Sequence, residues 1–441
     1  MNRLFITFGS KFIEMKRIFT TLAVICLAFS INAQKKYIHC GTLIDVENKD
    51  ALKERTIIID GNKIQEVKKG YVSAPRDAEV IDLKDMTVMP GFMDMHVHIE
   101  HESRPKTYEE KFRLEDTDVA LEATVYCRRT LDAGFTTVRD LGGSGVNVSL
   151  RKAINKGFIK GPRIYTAEKS LATTGGHADP TNGVKSELKG NPGPKDGVIN
   201  SVEDAYKAVR QRYKNGADCI KITATGGVLS VAKDGSGPQF TLEEVQAVVK
   251  AAKDYGMTTA AHAHGIEGMQ RAIIGGITSI EHGTLMDRET MELMKKHGTY
   301  LVPTISAGKF VAEKAKIPGY FPAIIVAKAI KIGAQIQVTF GEAYKAGVKI
   351  AFGTDTGVSA HGDNAKEFGF MVEAGMPEIE AIQAATINAA DLLNIKDILG
   401  SISAGKHADI VAVKGDPLKD ISLLEKINFV MKNGVIEKMV D

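Results

Sequence analysis

Between residues 88 and 356, short apolar runs rich in β-branched residues alternate with longer amphipathic stretches. The strand-like runs fall at 88–99, 135–141, 163–167, 219–224, 258–264, 279–284, 300–305 and 350–356. Helical spacing fills most of the gaps, at 118–133, 202–215, 242–255, 266–274, 287–297 and 323–346. Ser201 and Thr241, each with a Glu two or three residues on, read as N-caps. Gly134, Gly216, Gly256 and Gly298 read as stops. Eight strand–helix alternations predict an α/β chain folded as a (β/α)₈ TIM-like barrel. A doubly wound open sheet competes, but no glycine-rich phosphate turn follows the first strand.

Outside this span the texture changes. Residues 37–89 and 408–439 read as short strands with turns at Asp60-Gly61, Lys69-Gly70 and Gly415-Asp416-Pro417. Both ends are expected to build one small β-domain, giving segments 34–89, 90–400 and 401–441. At the start, Lys16-Arg17, an apolar run from Ile18 to Phe29 and a small residue at Ala33 predict a signal peptide over 1–33 and export, periplasmic or extracellular. Met15 would open a more typical signal than Met1, and Ile25 before Cys26 argues against a lipoprotein site. No later segment reaches membrane-spanning length free of charges.

Composition narrows the function classes. The 441 residues carry 57 basic and 54 acidic side chains, a net charge of +3, which gives no footprint for nucleic acid. Four cysteines are too few for a disulfide framework, and a buried apolar role suits each.

The polar residues inside the strands are what change the picture. The first strand ends Met95-His96-Val97-His98, where period two sends both imidazoles to one side. The fourth carries Lys221 among β-branched residues, where an unpaired ammonium is costly. The fifth ends His262-Ala263-His264, the sixth Glu281-His282 and the eighth Thr354-Asp355. Each alone could be a satisfied core group. Five strands ending in such groups is hard to attribute to chance, and barrel enzymes place their chemistry at those ends.

Together these motifs resemble the amidohydrolase superfamily. The carriers are Pro90-Gly91-Phe92-Met93-Asp94-Met95-His96-Val97-His98, then Lys221, His262, His282 and Asp355, with 400–409 as the return to the β-domain. The segments Thr174–Asp179 and Thr225–Ser230 are similar to the imidazolonepropionase-related group that includes metal-dependent Xaa-Pro dipeptidases. The resemblance implies two divalent ions, Zn²⁺ or else Mn²⁺ or Co²⁺. His96, His98 and Asp355 would hold one, and His262 and His282 the other. CO₂-carboxylated Lys221 would bridge them. It implies C–N bond hydrolysis by a metal-bridging hydroxide, with Asp355 carrying the proton. His177 is expected to polarise the substrate carbonyl, and His264 to support a ligand or touch substrate. His101 and Glu102 read as a solvated loop, and Arg139-Asp140 as a structural ion pair. The expected partner is a dipeptide or other small substrate, with a homo-oligomer open. Hydrolysis of a cyclic amide or N-acyl amino acid is the alternative, and a non-catalytic barrel scaffold a third.

Overall fold

The computed structural model describes residues 34–105, 107–230 and 235–440. The expected signal peptide lies outside the described residues, as does part of the 231–239 loop. The first strands are β1 (Lys36–Asp45), β2 (Asp50–Asp60), β3 (Lys63–Lys69) and β4 (Glu79–Pro90). Then come β5 (Phe92–Val97), β6 (Phe135–Asp140), β7 (Arg163–Thr166), β8 (Cys219–Thr223), β9 (Thr258–Ala263), β10 (Ser279–His282), β11 (Tyr300–Val302) and β12 (Lys349–Ile350). The chain closes with β13 (Ile410–Lys414), β14 (Phe429–Lys432) and β15 (Val435–Met439).

The two ends of the chain share a seven-stranded sheet in the order β15-β14-β13-β4-β1-β2-β3. β4 lies between β1 and β13, so the N-terminal strands cannot be completed without residues from the far end. Alternation places Ile38, Ile57, Leu83, Val88, Ile410 and Phe429 in one buried apolar cluster.

The middle strands are all parallel. They form a three-stranded sheet, β5-β6-β7, and a five-stranded sheet, β12-β11-β10-β9-β8. Backbone hydrogen bonds cross both seams. Leu171 N–H donates to Lys221 O at 2.7 Å, and Met95 N–H to Phe352 O at 2.9 Å. The strands read as near-continuous buried runs, as expected when helices cover them.

Two strand boundaries differ from the sequence reading. The expected 88–99 run is two strands, broken at Gly91, where the chain passes from the β13 side to β6 and a Cβ would sit 2.4 Å from Thr136 Oγ1. The expected 350–356 strand ends at Ile350. Asp355 has φ +58°, which breaks regular pairing, although its N–H still reaches His96 O at 2.7 Å.

Helix signals behaved as chemistry requires. Ser201 Oγ accepts from Asp204 N–H, and Thr241 with Glu244 forms a reciprocal capping box. The 23-residue helix Ala323–Lys345 is long and apolar enough, by length and composition, to cross a membrane. Here its Ile325, Ala329, Ile332, Ile336 and Phe340 are buried inside the molecule.

Candidate active site

The strand ends converge on a cavity of about 230 Å³, lined by His96, His98, Lys221, His262, His282 and Asp355. His177, His264 and His101 line it too. All nine belong to the sequence-predicted set or its neighbours, although His101 was expected in a solvated loop. His101 instead stacks on His98 with ring centroids 5.6 Å apart, and its backbone carbonyl accepts from His361 Nε2 at 2.9 Å.

Among the described residues, one group could hold a metal ion by compactness: donor atoms of His96, His282 and Asp355 all lie within 4.8 Å of one another. The other candidates surround it. Asp355 Oδ1 is 3.4 Å from His96 Nε2 and 3.3 Å from His98 Nε2. Lys221 Nζ is 3.4 Å from His96 Nε2. The His262 ring lies 4.7 Å from that of His282, and its Nε2 is 3.1 Å from Gly226 O.

Three imidazoles are fixed from behind through Nδ1. His96 Nδ1 contacts Glu281 Oε2 at 2.9 Å, His98 Nδ1 contacts Gly142 O at 2.7 Å, and His282 Nδ1 contacts Thr304 Oγ1 at 2.7 Å. Anchoring Nδ1 turns Nε2 inward, and the carboxylate and carbonyl acceptors put the proton of His96 and His98 on Nδ1, as is usual for metal-ligating histidine. Asp355 Oδ1 is buried without a hydrogen-bond donor. A buried carboxylate oxygen facing two inward imidazole nitrogens is a donor set that fits a divalent cation.

The electrostatics agree. Burial, and then the Lys221 charge, pushes His96 down to about 4, so it is a neutral imidazole at neutral pH, the form that can offer a nitrogen lone pair to a cation. Burial lowers Lys221 to about 8 against the pull of Glu281 and Asp355. Burial would raise Asp355, but His96, His98 and Lys221 outweigh it and hold the carboxylate ionised.

Backbone strain marks the same spot. Of eight non-glycine residues with positive φ among the described residues, three are His282, Thr304 and Asp355. Such conformations persist where surrounding contacts enforce them, and they concentrate at functional sites. Gly353 serves the same close packing, since a Cβ there would sit 2.3 Å from Val302 Cγ1 and 3.2 Å from His96 Cβ.

The expected Arg139–Asp140 ion pair is not formed. Fully buried Arg139 pairs instead with Glu281 at 2.9 Å, and also donates to Met95 O and Ser279 Oγ. Adjacent residues on a strand point to opposite faces, so Asp140 takes other donors: Ile99 N–H, Asn147 Nδ2 and Thr166 Oγ1. His264 Nδ1 contacts Thr284 Oγ1 at 2.9 Å. His177 stacks on His262 at 4.3 Å, and its Nδ1 is buried without a partner.

Four residues carry the site without having been singled out. Glu281 joins Arg139 to His96. Thr304 holds His282. Glu367 accepts Ile305 N–H and Ser306 N–H, both at 2.7 Å, and so fixes the segment that carries Thr304. Asp94 accepts His96 N–H at 3.1 Å and Thr354 Oγ1–H at 2.6 Å, clamping β5 to the Asp355 segment. Glu281 and Asp94 had a signal, a charge inside an apolar strand. Thr304 and Glu367 had none.

Inward imidazoles, a buried carboxylate and a buried lysine gather at the ends of parallel strands, a donor cluster of the class that could hold a metal ion. The chain belongs to the amidohydrolase family, whose family model matches residues 87–440. It is a hydrolase acting on carbon–nitrogen bonds. It is 56% identical to a Xaa-Pro dipeptidase whose crystal structure has methionine bound in the active site. That alignment covers 91% of this chain and 99% of the other, with a TM-score of 0.89. It is 30% identical to the ochratoxinase of Aspergillus niger, over 93% of this chain and 88% of the relative. It is 25% identical to the imidazolonepropionase of Thermoanaerobacter pseudethanolicus, over 91% of this chain and 93% of the relative.

Proposed function

We propose that this chain is an exported dipeptidase that hydrolyses Xaa-Pro-type dipeptides at a binuclear metal centre, with its eight parallel strands closed as a (β/α)₈ barrel. The observation that carries the reading is the buried, donorless Asp355 Oδ1 facing Nε2 of His96 and His98. The seam hydrogen bonds support barrel closure, and the basic-then-apolar leader supports export. The Xaa-Pro dipeptidase at 56% identity supports the substrate class.

His96, His98 and Asp355 would hold one ion, and His262 and His282 the other, with Lys221 between them. Divalent ions such as Zn²⁺, Mn²⁺ or Co²⁺ supply Lewis-acid polarisation of the carbonyl and a water of lowered pKa. The chain does the rest. Burial leaves Lys221 with an ammonium easily converted to free amine, the form that adds CO₂ to give an anionic bridge. The Asp355 carboxylate, held ionised among His96, His98 and Lys221, would take a proton from the attacking water and deliver it to the leaving proline nitrogen. His177 is pushed down to about 3 by burial, and then by His264 and Lys221, so it is neutral and can donate only through its N–H. Donated to the carbonyl oxygen, that bond strengthens as negative charge develops.

The test is hydrolysis of Xaa-Pro dipeptides by purified protein, abolished by chelator and restored by Zn²⁺, Mn²⁺ or Co²⁺, with about two ions per chain. Cleavage of N-acyl amino acids or cyclic amides but of no dipeptide would favour the second reading, which the ochratoxinase and imidazolonepropionase relatives keep in view. Full activity without metal would end both.

A further inference from the structure

A second cavity of about 570 Å³ adjoins the catalytic one, and the two share His101, His177 and Leu229 as lining residues. The shared residues form a doorway. Tyr108 Oη donates to Leu229 O at 2.7 Å and ties the doorway to the 107–114 segment. Beyond it, Leu114, Val119 and Tyr126 supply apolar wall. The catalytic cavity is the smaller of the two, below the ~300 Å³ at which ligand pockets usually begin. The rest of its lining includes the apolar Val311, Ile332 and Ile336. A substrate seated at the candidate metal ligands can therefore extend through the doorway into the larger second cavity.

Charge sets which end of a peptide goes that way. The second cavity carries six carboxylates, Glu100, Glu102, Glu110, Asp116, Glu122 and Asp179, against two cations, Arg104 and Lys111. Arg104 is committed to Glu110 and Glu122. A free carboxylate is repelled there and a peptide ammonium is attracted. In the catalytic cavity Asp355 is the one carboxylate among the lining residues.

We infer that the second cavity is an extended acyl-side subsite, so the protein also removes the C-terminal residue from peptides longer than two residues, with the N-terminal part lying past His177 and Leu229. This rests on the peptide-hydrolase reading above. Water's oxygen bonds to the acyl carbon, the C–N bond breaks, and the released nitrogen takes the water proton. The products are a shortened peptide acid and a free amino acid.

The test compares Met-Pro, Ala-Met-Pro and Ala-Ala-Met-Pro with the metal-loaded full chain, the products being read by mass spectrometry. All three should release proline, with kcat/KM within about tenfold of one another. Leu114→Trp narrows the second cavity without touching the catalytic one, and Val119→Phe serves as a second variant. Either should lower kcat/KM for the two longer peptides at least tenfold and leave Met-Pro within twofold. If Met-Pro is cleaved and the longer peptides are more than 100-fold slower, the inference fails and the dipeptidase reading stands. Release of alanine first, or equal loss on all three peptides in both variants, also overturns the inference. If no peptide of any length is cleaved, both fall.

Discussion

Two buried regions of this chain hold together by opposite means. The seven-stranded sheet joining the chain's ends packs on aliphatic and aromatic side chains, with Ile38, Ile57, Leu83, Ile410 and Phe429 fully buried. The floor beneath the active site buries Asp94, Arg139, Glu281 and Glu367 just as completely. The first region gains from removing apolar surface from water and tolerates any well-fitting hydrophobe. The second is viable only because each charge has an assigned partner: Glu281 has Arg139, His96 and Ser279, and Glu367 has two backbone amides and Ser306. Polar material at such cost is retained for orientation, and here every chain of contacts ends at a candidate metal ligand.

The comparison breaks most visibly at Asp355. Asp355→Asn keeps the shape but removes the negative charge between the imidazoles and the proton carrier. Turnover should fall by about 10²–10⁴-fold. Bound metal should fall in the same samples, measured by elemental analysis, while the thermal unfolding midpoint of the metal-free protein should stay within a few degrees. Normal turnover with a normal metal count would remove Asp355 from the chemistry.

The buried pair separates the two regions energetically. Arg139→Met leaves Glu281 charged and uncompensated, at a cost of about 3–5 kcal/mol. Ile57→Ala in the sheet should cost a similar ~2–5 kcal/mol through lost burial and a cavity. The difference lies in the readouts. Ile57→Ala should leave kcat and metal content unchanged at temperatures where it is folded. Adding Glu281→Leu to Arg139→Met should recover stability but not metal affinity, because His96 Nδ1 has then lost its anchor. If the double variant binds metal normally, the Glu281–His96 contact is packing only.

This division also explains what the sequence could tell. Ligand candidates were legible because histidine pairs and a lysine are out of place at the ends of apolar strands, and period two puts His96 and His98 on one side. Partner choice was not. Arg139 and Asp140 are neighbours in sequence, yet the strand sends them to opposite faces, and Arg139 finds Glu281 on β10, in the other parallel sheet. Thr304 and Glu367 lie on different elements, 63 positions apart in an ordinary-looking chain, and only folding brings Glu367 to the amides beside Thr304. Asp355 reads as a strand residue by composition, but its positive φ takes it out of the ladder.

A gentler cut falls at Thr304. Thr304→Val preserves shape and β-branching but deletes the hydroxyl that meets His282 Nδ1 at 2.7 Å. Loss of such an orienting contact should weaken metal affinity by about 10–100-fold, read by titrating the metal-free protein with Zn²⁺. Thr304→Ser keeps the hydroxyl and should restore most of the affinity. Equal behaviour of the serine and valine variants would assign Thr304 to backbone geometry alone.

The smallest effect concerns pH and Glu367. Burial pushes its carboxyl up to about 7, against the hydrogen bonds from Ser306 and Ile305, while the unfolded chain titrates near the ordinary 4.5. An acid whose pKa is raised by folding is held most favourably when protonated. Its contribution to stability is complete below pH 4.5 and is lost as pH rises through about 7. Asp94, pushed up to about 6 by burial, adds a change of the same sign. Glu281 and Asp355, both held low, act in the opposite direction at more acidic pH, so the wild-type curve alone is a mixture. The difference between wild type and Glu367→Gln isolates the contribution of this carboxyl, since glutamine does not titrate. In metal-free protein under chelator, the unfolding free energy of the wild type relative to the variant should fall by about 1 kcal/mol per pH unit between pH 5 and 7. The seven-stranded sheet provides the control: Ile57→Ala should shift the whole curve without changing its slope. A wild-type-minus-Gln difference that is flat across this range would mean that the helix-end amides at Ile305 and Ser306 stabilise the carboxylate enough to cancel its burial.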